Sequence, residues 1–473
     1  MKICVSISPA SAREACNQLA RLSRSEDLIE LRVDNIPDLD LEAILKGTRP
    51  EIILTNRAPD NGGQFNGTIN DRLSIFERAI SLGAEYIDVE FSLGDKIVRG
   101  LISGSKKTKV ICSYHNFEKT VPGLKSIYES IRTTNAPVIK IATMANAITD
   151  NKIILDLLRY AGKVRQKTIA FCMGEYGEFS RIAGGIYGNY IAFASLSDDK
   201  STGPGQLSRE QMKNLFRADL LSKKSKLFGL VGNPVKQSQG IIYHNNRFAR
   251  AGVNAVYANF LVGDLRSFLN SFEDLITGLS ITMPFKKEAV SFVDAMDEQT
   301  GYLGVLNTII KKRGKLVGSN SDLSAALSIL KKRIRPRNRM VTVLGAGATA
   351  RTLAYAAILN GGHVTIAGRD TNKAKSLAGD LCCNWTTFEN LTDLKCDLLI
   401  NATSAGMTGN NDSAIVPKKL LRRKMTVLDA VYNPIMTRLL TDALSAGCQI
   451  VTGMELFKRQ AQIQSKLFFE CIG

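Results

Sequence analysis

The stretch APVIKIATMA, residues 136–145, places one lysine, Lys140, inside an otherwise apolar run. Such a run reads as a buried strand, and burying an ammonium is costly unless it has a partner or a task. Seven comparable runs accompany it: KICVSI (2–7), LIELRV (28–33), EIILTN (51–56), YIDVEF (86–91), KVICSY (109–114), TIAFCM (168–173) and IAFASL (191–196). Their starts fall mostly 20–35 residues apart, with helix-like stretches such as NDRLSIFERAISLGA (70–84) and NKIILDLLRYAGKV (151–164) in the intervals. Eight strands with helical crossovers predict an α/β architecture whose N-terminal part is a (β/α)8 TIM barrel. A doubly wound sheet is the alternative, disfavoured by the polar residues at the strands' C-terminal ends.

Strand parity sharpens this reading, because alternate side chains share a face. Glu30 and Arg32 fall together, as do Thr55 and Arg57, Asp88 and Glu90, Ser113 and His115, and Val138 and Lys140. The other face of each strand is largely apolar, as packing against outer helices requires. The polar sets should therefore converge inside the barrel near its C-terminal mouth, where barrel active sites lie. A desolvated lysine can act as a neutral amine that attacks a ketone and forms a Schiff base. His115 on the next strand is a general acid or base, and Arg181 in FSRIAGG can hold an anionic group. The simpler alternative is that Lys140 snorkels or pairs with Glu90.

At 473 residues the chain predicts two to four domains, and 44% hydrophobic with 22% charged residues is the composition of a soluble globular protein. No apolar stretch has the length of a signal core or a membrane span. The nine cysteines include no C-x-x-C pair and mostly lie in apolar runs, so a reduced, cytoplasmic protein without a metal is expected. Residues 1–222 hold 29 basic and 26 acidic side chains, whereas 223–473 hold 33 and 18, so the net charge of +18 belongs mainly to the second half. Clusters such as KKRIRPRNR (331–339), KKR (311–313) and RRK (422–424) lack aromatic interleaving or zinc spacing. They read as solvated surface that attracts small anions, with neither nucleic acid nor membrane as partner.

SKKSK (222–226) reads as a linker. Beyond it come KLFGLVGNPV (226–235), VYANFL (256–261), GLSITMPFK (278–286) and GVLNTIIKKRGKLVGSNSD (304–322). Then MVTVLGAGATARTLAYAAILNGGHVTIAGRD (340–370) gives strand, glycine turn, helix and strand, a Rossmann βαβ unit. Gly345 and Gly347 permit the tight turn, and Ala348, Thr349 and Ala350 open the helix that a pyrophosphate would approach. Arg369 suits a 2'-phosphate and predicts NADP(H); adjacent Asp370 keeps NAD open. Pro284 stops a strand and presents Lys286 at its end, near Asn307 and Asp322 at the ends of later strands, while Lys287 reads as solvated.

The segments ELRVD, TNRAPDNGG, YIDVE, SYHNF, IKIATM, SRIAGG and TGPGQ, in this order, resemble type I 3-dehydroquinate dehydratase over residues 1–215. The resemblance implies that Lys140 forms an imine with the substrate ketone and that His115 removes the adjacent proton and assists loss of hydroxide. It further implies that Glu30, Arg32, Arg57 and Gln206 bind ring hydroxyls and that Arg181 binds the carboxylate. Thr202 stands where a serine is usual in this substrate-binding loop. Asn61, beside Asp60, stands where a glutamate that orients the histidine is usual.

Likewise VGNPVKQS, ITMPFK, VLNT, NSD, GAGATAR, NATSAGM, DAVYNP and GMELFKRQA resemble shikimate dehydrogenase over residues 226–473. This implies a Lys286/Asp322 pair at the reacting oxygen, with Thr282, Asn307, Tyr432 and Gln460 around the substrate and Ser238 at its carboxylate. Asn401, Thr403 and Ser404 would border the nicotinamide, with Gly453 also at the cofactor. Gly240 replaces the second serine of the carboxylate loop, and Ser280 stands where asparagine is usual.

The expected domains are a barrel over 1–222, a substrate-binding domain over 223–326 completed by a closing helix at 452–473, and a Rossmann NADP-binding domain over 327–451. Two consecutive reactions follow from the two resemblances: dehydration of 3-dehydroquinate, then NADPH-dependent reduction of 3-dehydroshikimate to shikimate. The rivals are an NAD-dependent quinate/shikimate dehydrogenase and a non-catalytic quinate-sensing regulator.

Overall fold

The computed structural model describes residues 1–23, 26, 28–409 and 416–472, and every expected site residue is among them. The chain forms two compact units, Met1–Ile276 and Thr277–Gly473.

The first unit contains the expected barrel. Its strands are β1 (Lys2–Ile7), β2 (Leu28–Arg32), β3 (Glu51–Thr55), β4 (Tyr86–Glu90), β5 (Lys109–Asn116), β6 (Val138–Met144), β7 (Lys167–Met173) and β8 (Ile191–Ser195). All pair in parallel in the order β7-β6-β5-β4-β3-β2-β1-β8. The Tyr190 N–H donates to the Thr168 carbonyl at 2.8 Å across the remaining seam. Each of the eight runs seen in the sequence is one of these strands.

Alternation fills the interior in layers. Cys4, Leu28, Ile53, Tyr86, Ile111, Val138, Ile169 and Ile191 make an apolar layer at the base of the barrel. Two residues further along six of these strands stand Ser6, Glu30, Thr55, Asp88, Ser113 and Lys140, all buried. The sequence thus builds an apolar floor and sets a polar layer on it. After the barrel, β9 (Lys226–Gly232) and β10 (Ala255–Leu261) pair in parallel within the same unit.

In the second unit, β11 (Gly278–Ile281), β12 (Ala295–Met296), β13 (Thr308–Lys312) and β14 (Lys315–Ser319) precede the nucleotide-type sheet. β13 runs antiparallel to both β11 and β14. The second sheet comprises β15 (Met340–Leu344), β16 (His363–Gly368), β17 (Asn384–Thr387), β18 (Leu398–Asn401), β19 (Thr426–Asp429) and β20 (Gln449–Val451). Its order, β17-β16-β15-β18-β19-β20, is that of a Rossmann fold, with the crevice between the ends of β15 and β18. The helix Gly453–Glu470 closes the chain, and its Gln464 donates to the Asn307 carbonyl and to Thr308, each at 2.9 Å.

Candidate active sites

In the barrel, one cavity of about 160 Å3 is lined by Glu30, Arg32, Arg57, His115, Lys140, Arg181, Thr202 and Gln206, the complete expected set. Lys140 is 4% exposed. Its Nζ donates to Asp88 Oδ2 at 2.8 Å, lies 3.5 Å from Glu30 Oε1 and stands 4.1 Å from the centre of the Phe193 ring. The partner is Asp88 and not Glu90, which is taken by Arg72 of the helix Ile69–Ser81 and by Arg57 at 3.6 Å.

Asp88 is the hub that sequence reasoning did not single out. Its Oδ2 also lies 3.0 Å from Arg57 Nη2, and its Oδ1 accepts from Ser113 at 2.6 Å. Burial opposes its charge, but Arg57, then Lys140 and His115, hold its carboxyl far below the usual range. Glu30 accepts from Ser6 at 2.6 Å and Thr55 at 3.1 Å, and against burial the Lys140 and Arg32 charges keep it ionised. Arg32 is itself gripped by both oxygens of Asp34, each at 2.7 Å.

His115 is pushed well below the ordinary imidazole value, first by burial and then by the Arg57 and Lys140 charges. Arg57 Nη1 lies 3.4 Å from His115 Nδ1. A guanidinium can only donate, so the neutral ring carries its proton on Nε2. Neither Asp60 nor Asn61 is bonded to His115. Asn61 does line the cavity, and Arg57 is the group that orients the ring.

Arg181, on the short helix Glu178–Ala183, is 4% exposed and lies over the Phe171 ring at 4.3 Å. It donates from Nη2 to the Pro204 carbonyl at 3.1 Å, and burial lowers its pKa to about 10. Thr202 and Gln206 bond each other, with the Thr202 N–H and hydroxyl donating to Gln206 Oε1 at 2.8 and 3.0 Å.

In the second unit, Lys286 Nζ donates to Asp322 Oδ2 at 2.6 Å. The loop after β11 presents Lys286, and its carbonyl accepts from the Leu306 N–H at 2.9 Å. Asp322 lies in the first turn of the helix Ser321–Ile329, capped by Asn320. Asn307 Oδ1 accepts from the Ser321 N–H at 2.8 Å, which ties that turn to β13. Gln460 accepts from Ser321 Oγ at 3.2 Å, and Tyr432 is raised above the usual phenol range by burial and by the Asp322 charge. Lys286, Asp322, Asn307, Tyr432 and Gln460 therefore belong to one neighbourhood, whose support includes Gln464, missed in the sequence. Thr282 follows β11, and its carbonyl accepts from the Phe285 N–H at 3.0 Å. Ser238 lies in the first unit, before the helix Gly240–Arg250, and accepts from the Gly240 N–H at 3.2 Å.

At the Rossmann crevice, Gly345 has φ +106°, where a side chain would be strained, and a Cβ there would stand 3.1 Å from Thr403. A Cβ on Gly347 would meet open space beside the amino end of the helix Ala348–Leu359. These features and the exposed Arg369 at the end of β16 fit a phosphorylated dinucleotide. Asp370 is engaged elsewhere: it caps the helix Thr371–Asp380 by accepting from the Lys373 N–H at 3.1 Å. Three expected cofactor positions serve differently from a side-chain contact. Asn401 is fully buried and accepts from Thr403, pinning that loop with Asp429 at 2.9 Å. Ala350 faces the core, and Gly453 is pressed against the Val431 carbonyl, where a Cβ would stand 2.3 Å away. Ser404 is exposed beside Thr403.

The type I 3-dehydroquinase family model matches residues 3–222, and that of the shikimate dehydrogenase substrate binding domain matches 230–309. A bifunctional 3-dehydroquinate dehydratase/shikimate dehydrogenase of Arabidopsis thaliana is 34% identical over 93% of this chain and 77% of its own length. The chain belongs to this bifunctional family. A shikimate biosynthesis protein of Chlamydia pneumoniae is 28% identical over 99% of this chain and 95% of its own. The crystal structure of a shikimate dehydrogenase in complex with NADP+ aligns with 53% of this chain and 92% of its own, at 29% identity and a TM-score of 0.50. The match to this bifunctional relative covers the barrel and the second half of the chain alike.

Proposed function

We propose that the barrel dehydrates 3-dehydroquinate through an imine on Lys140 and that the second half reduces the resulting 3-dehydroshikimate to shikimate with NADPH. One observation carries the reading above others: the eight expected barrel side chains, the buried Lys140 among them, line one cavity. In this scheme the Lys140 amine attacks the ketone carbon and water leaves, giving the imine. His115 takes the proton from the neighbouring carbon while the imine nitrogen accepts the electron pair, then returns that proton to the departing hydroxide as water. Hydrolysis restores Lys140.

In the reductase half, Lys286 holds the substrate oxygen and gives it a proton, with Asp322 fixing the ammonium. NADPH, when bound, supplies the hydride. Gly345, Gly347 and the helix amino end would hold its pyrophosphate and Arg369 its 2'-phosphate, with Thr403 and Ser404 beside the nicotinamide. Thr282, Asn307, Tyr432 and Gln460 complete the substrate contacts of this unit. The division into 1–222, 223–326 with 452–473, and 327–451 describes the three working parts. All nine cysteines are free, which supports a reducing, cytoplasmic setting, and no described helix is long and apolar enough to cross a membrane.

The test is one incubation of the purified chain with 3-dehydroquinate and NADPH. Shikimate should accumulate, and without NADPH the product should stop at 3-dehydroshikimate. Oxidation of quinate with NAD but not NADP would favour the rival dehydrogenase.

A further inference from the structure

The family model for the dehydratase ends at residue 222, yet the compact unit that contains the barrel continues to Ile276. An aromatic seat lies between the barrel and this continuation. Phe179, two residues before Arg181 on the helix Glu178–Ala183, is 1% exposed. Its ring meets Phe260 of β10 edge-on at 4.8 Å and Phe272 at 5.7 Å. Phe268 packs on both of those rings, at 5.0 and 5.3 Å, so the seat is a rigid cluster and not a single side chain. Lys236 adds a polar strap, reaching Glu175 at 3.0 Å just before the same helix.

The helix has only six residues and no side-chain cap, so its own hydrogen bonds hold it weakly. On its barrel side Arg181 has one hydrogen bond, to the Pro204 carbonyl, and its Nε is buried without a partner. The guanidinium rests on the Phe171 ring, and the helix is tied by Ser180 to Cys172 and Asn151, so the packing behind it adds to these few anchors.

We propose that the segment 226–272 is a working part of the dehydratase: its Phe260 and Phe272 seat Phe179 and so position Arg181 for the substrate carboxylate. This rests on the reading of Arg181 as the carboxylate group. Phe260 and Phe272 are positioning residues, and their effect should fall on substrate capture while the Lys140 chemistry proceeds unchanged.

The experiment uses the full-length chain with Phe260→Leu, Phe260→Ala, Phe179→Leu and Arg181→Ala. Dehydration kinetics are measured together with borohydride trapping of Lys140 at saturating 3-dehydroquinate. Phe260→Ala should raise KM about three- to tenfold, the range an aromatic contact carries, with kcat within about twofold. Phe260→Leu, which keeps most of the volume, should recover part of that loss, and trapping should remain complete. An unchanged KM in folded Phe260 and Phe179 variants would overturn the proposal. So would equal collapse of kcat and trapping in the leucine and alanine variants, since that marks a merely structural seat. Arg181→Ala separates the premises. If it raises KM while the phenylalanine variants do not, the seat fails and the carboxylate reading stands; if it leaves KM unchanged, the carboxylate reading itself fails.

Discussion

Asp88 Oδ2 lies 2.8 Å from Lys140 Nζ and 3.0 Å from Arg57 Nη2, so one buried carboxylate oxygen serves two buried cations. Asp88→Asn removes this carboxylate, while Lys140 keeps Glu30 at 3.5 Å and Arg57 keeps Glu90 at 3.6 Å. The loss of stability should be about 1.5–3 kcal/mol, the scale of a charge-assisted hydrogen bond, read as a lower urea midpoint. The folded pKa of Asp88 is depressed, so its contribution is full above the ordinary aspartate value of about 3.9 and is lost as pH falls toward the folded value. The difference in stability between wild type and Asp88→Asn should accordingly be flat near neutrality and shrink on acidification.

His115 carries the second pH signature. Its pKa is lowered, so the ring is already neutral at the pH where an ordinary imidazole, near 6.5, is half protonated. The acidic limb of kcat/KM for dehydration should therefore lie below pH 6.5. A limb at or above that value would show that burial and Arg57 do not govern the ring.

These two predictions also show where sequence sufficed and where it did not. Spaced apolar runs exposed all eight barrel strands, and alternation with period two exposed the inward faces that carry Glu30, Arg57, His115 and Lys140. Alternation could not choose between Asp88 and Glu90 as the partner of Lys140, because both share one face. Register even sets Glu90 level with Ser113 and Lys140. Arg72, on a helix outside that pattern, decides the matter by claiming Glu90.

The same limit explains Asn401, Gln464 and Phe179. Asn401 sits in a motif shared with a cofactor loop, yet hydrogen bonds to Asp429 and Thr403 turn its side chain inward. Gln464 and Phe179 act through contacts with residues 307–308 and 260–272, separations that no local pattern encodes.

Borohydride reduction in the presence of 3-dehydroquinate should attach the ligand to Lys140 and stop dehydration, because only an imine is reduced to a stable secondary amine. Peptide mass mapping locates the adduct. A modified residue elsewhere, or an unmodified and fully active enzyme, would contradict the covalent role.

Arg369 is exposed at the end of β16, while Asp370 is occupied in capping the next helix. Arg369→Ala should raise the KM for NADPH by about tenfold or more, the scale of a lost charge-assisted phosphate contact, and barely change that for NADH. Equal losses with both cofactors would count against a 2'-phosphate contact.

The most direct measurement of the two-site mechanism is NADPH consumption by Lys140→Ala protein offered each substrate in turn. With 3-dehydroshikimate the rate should equal that of wild type, since Lys286 and Asp322 are untouched; with 3-dehydroquinate there should be none. Consumption on 3-dehydroquinate, or silence on both substrates in a folded protein, would contradict it.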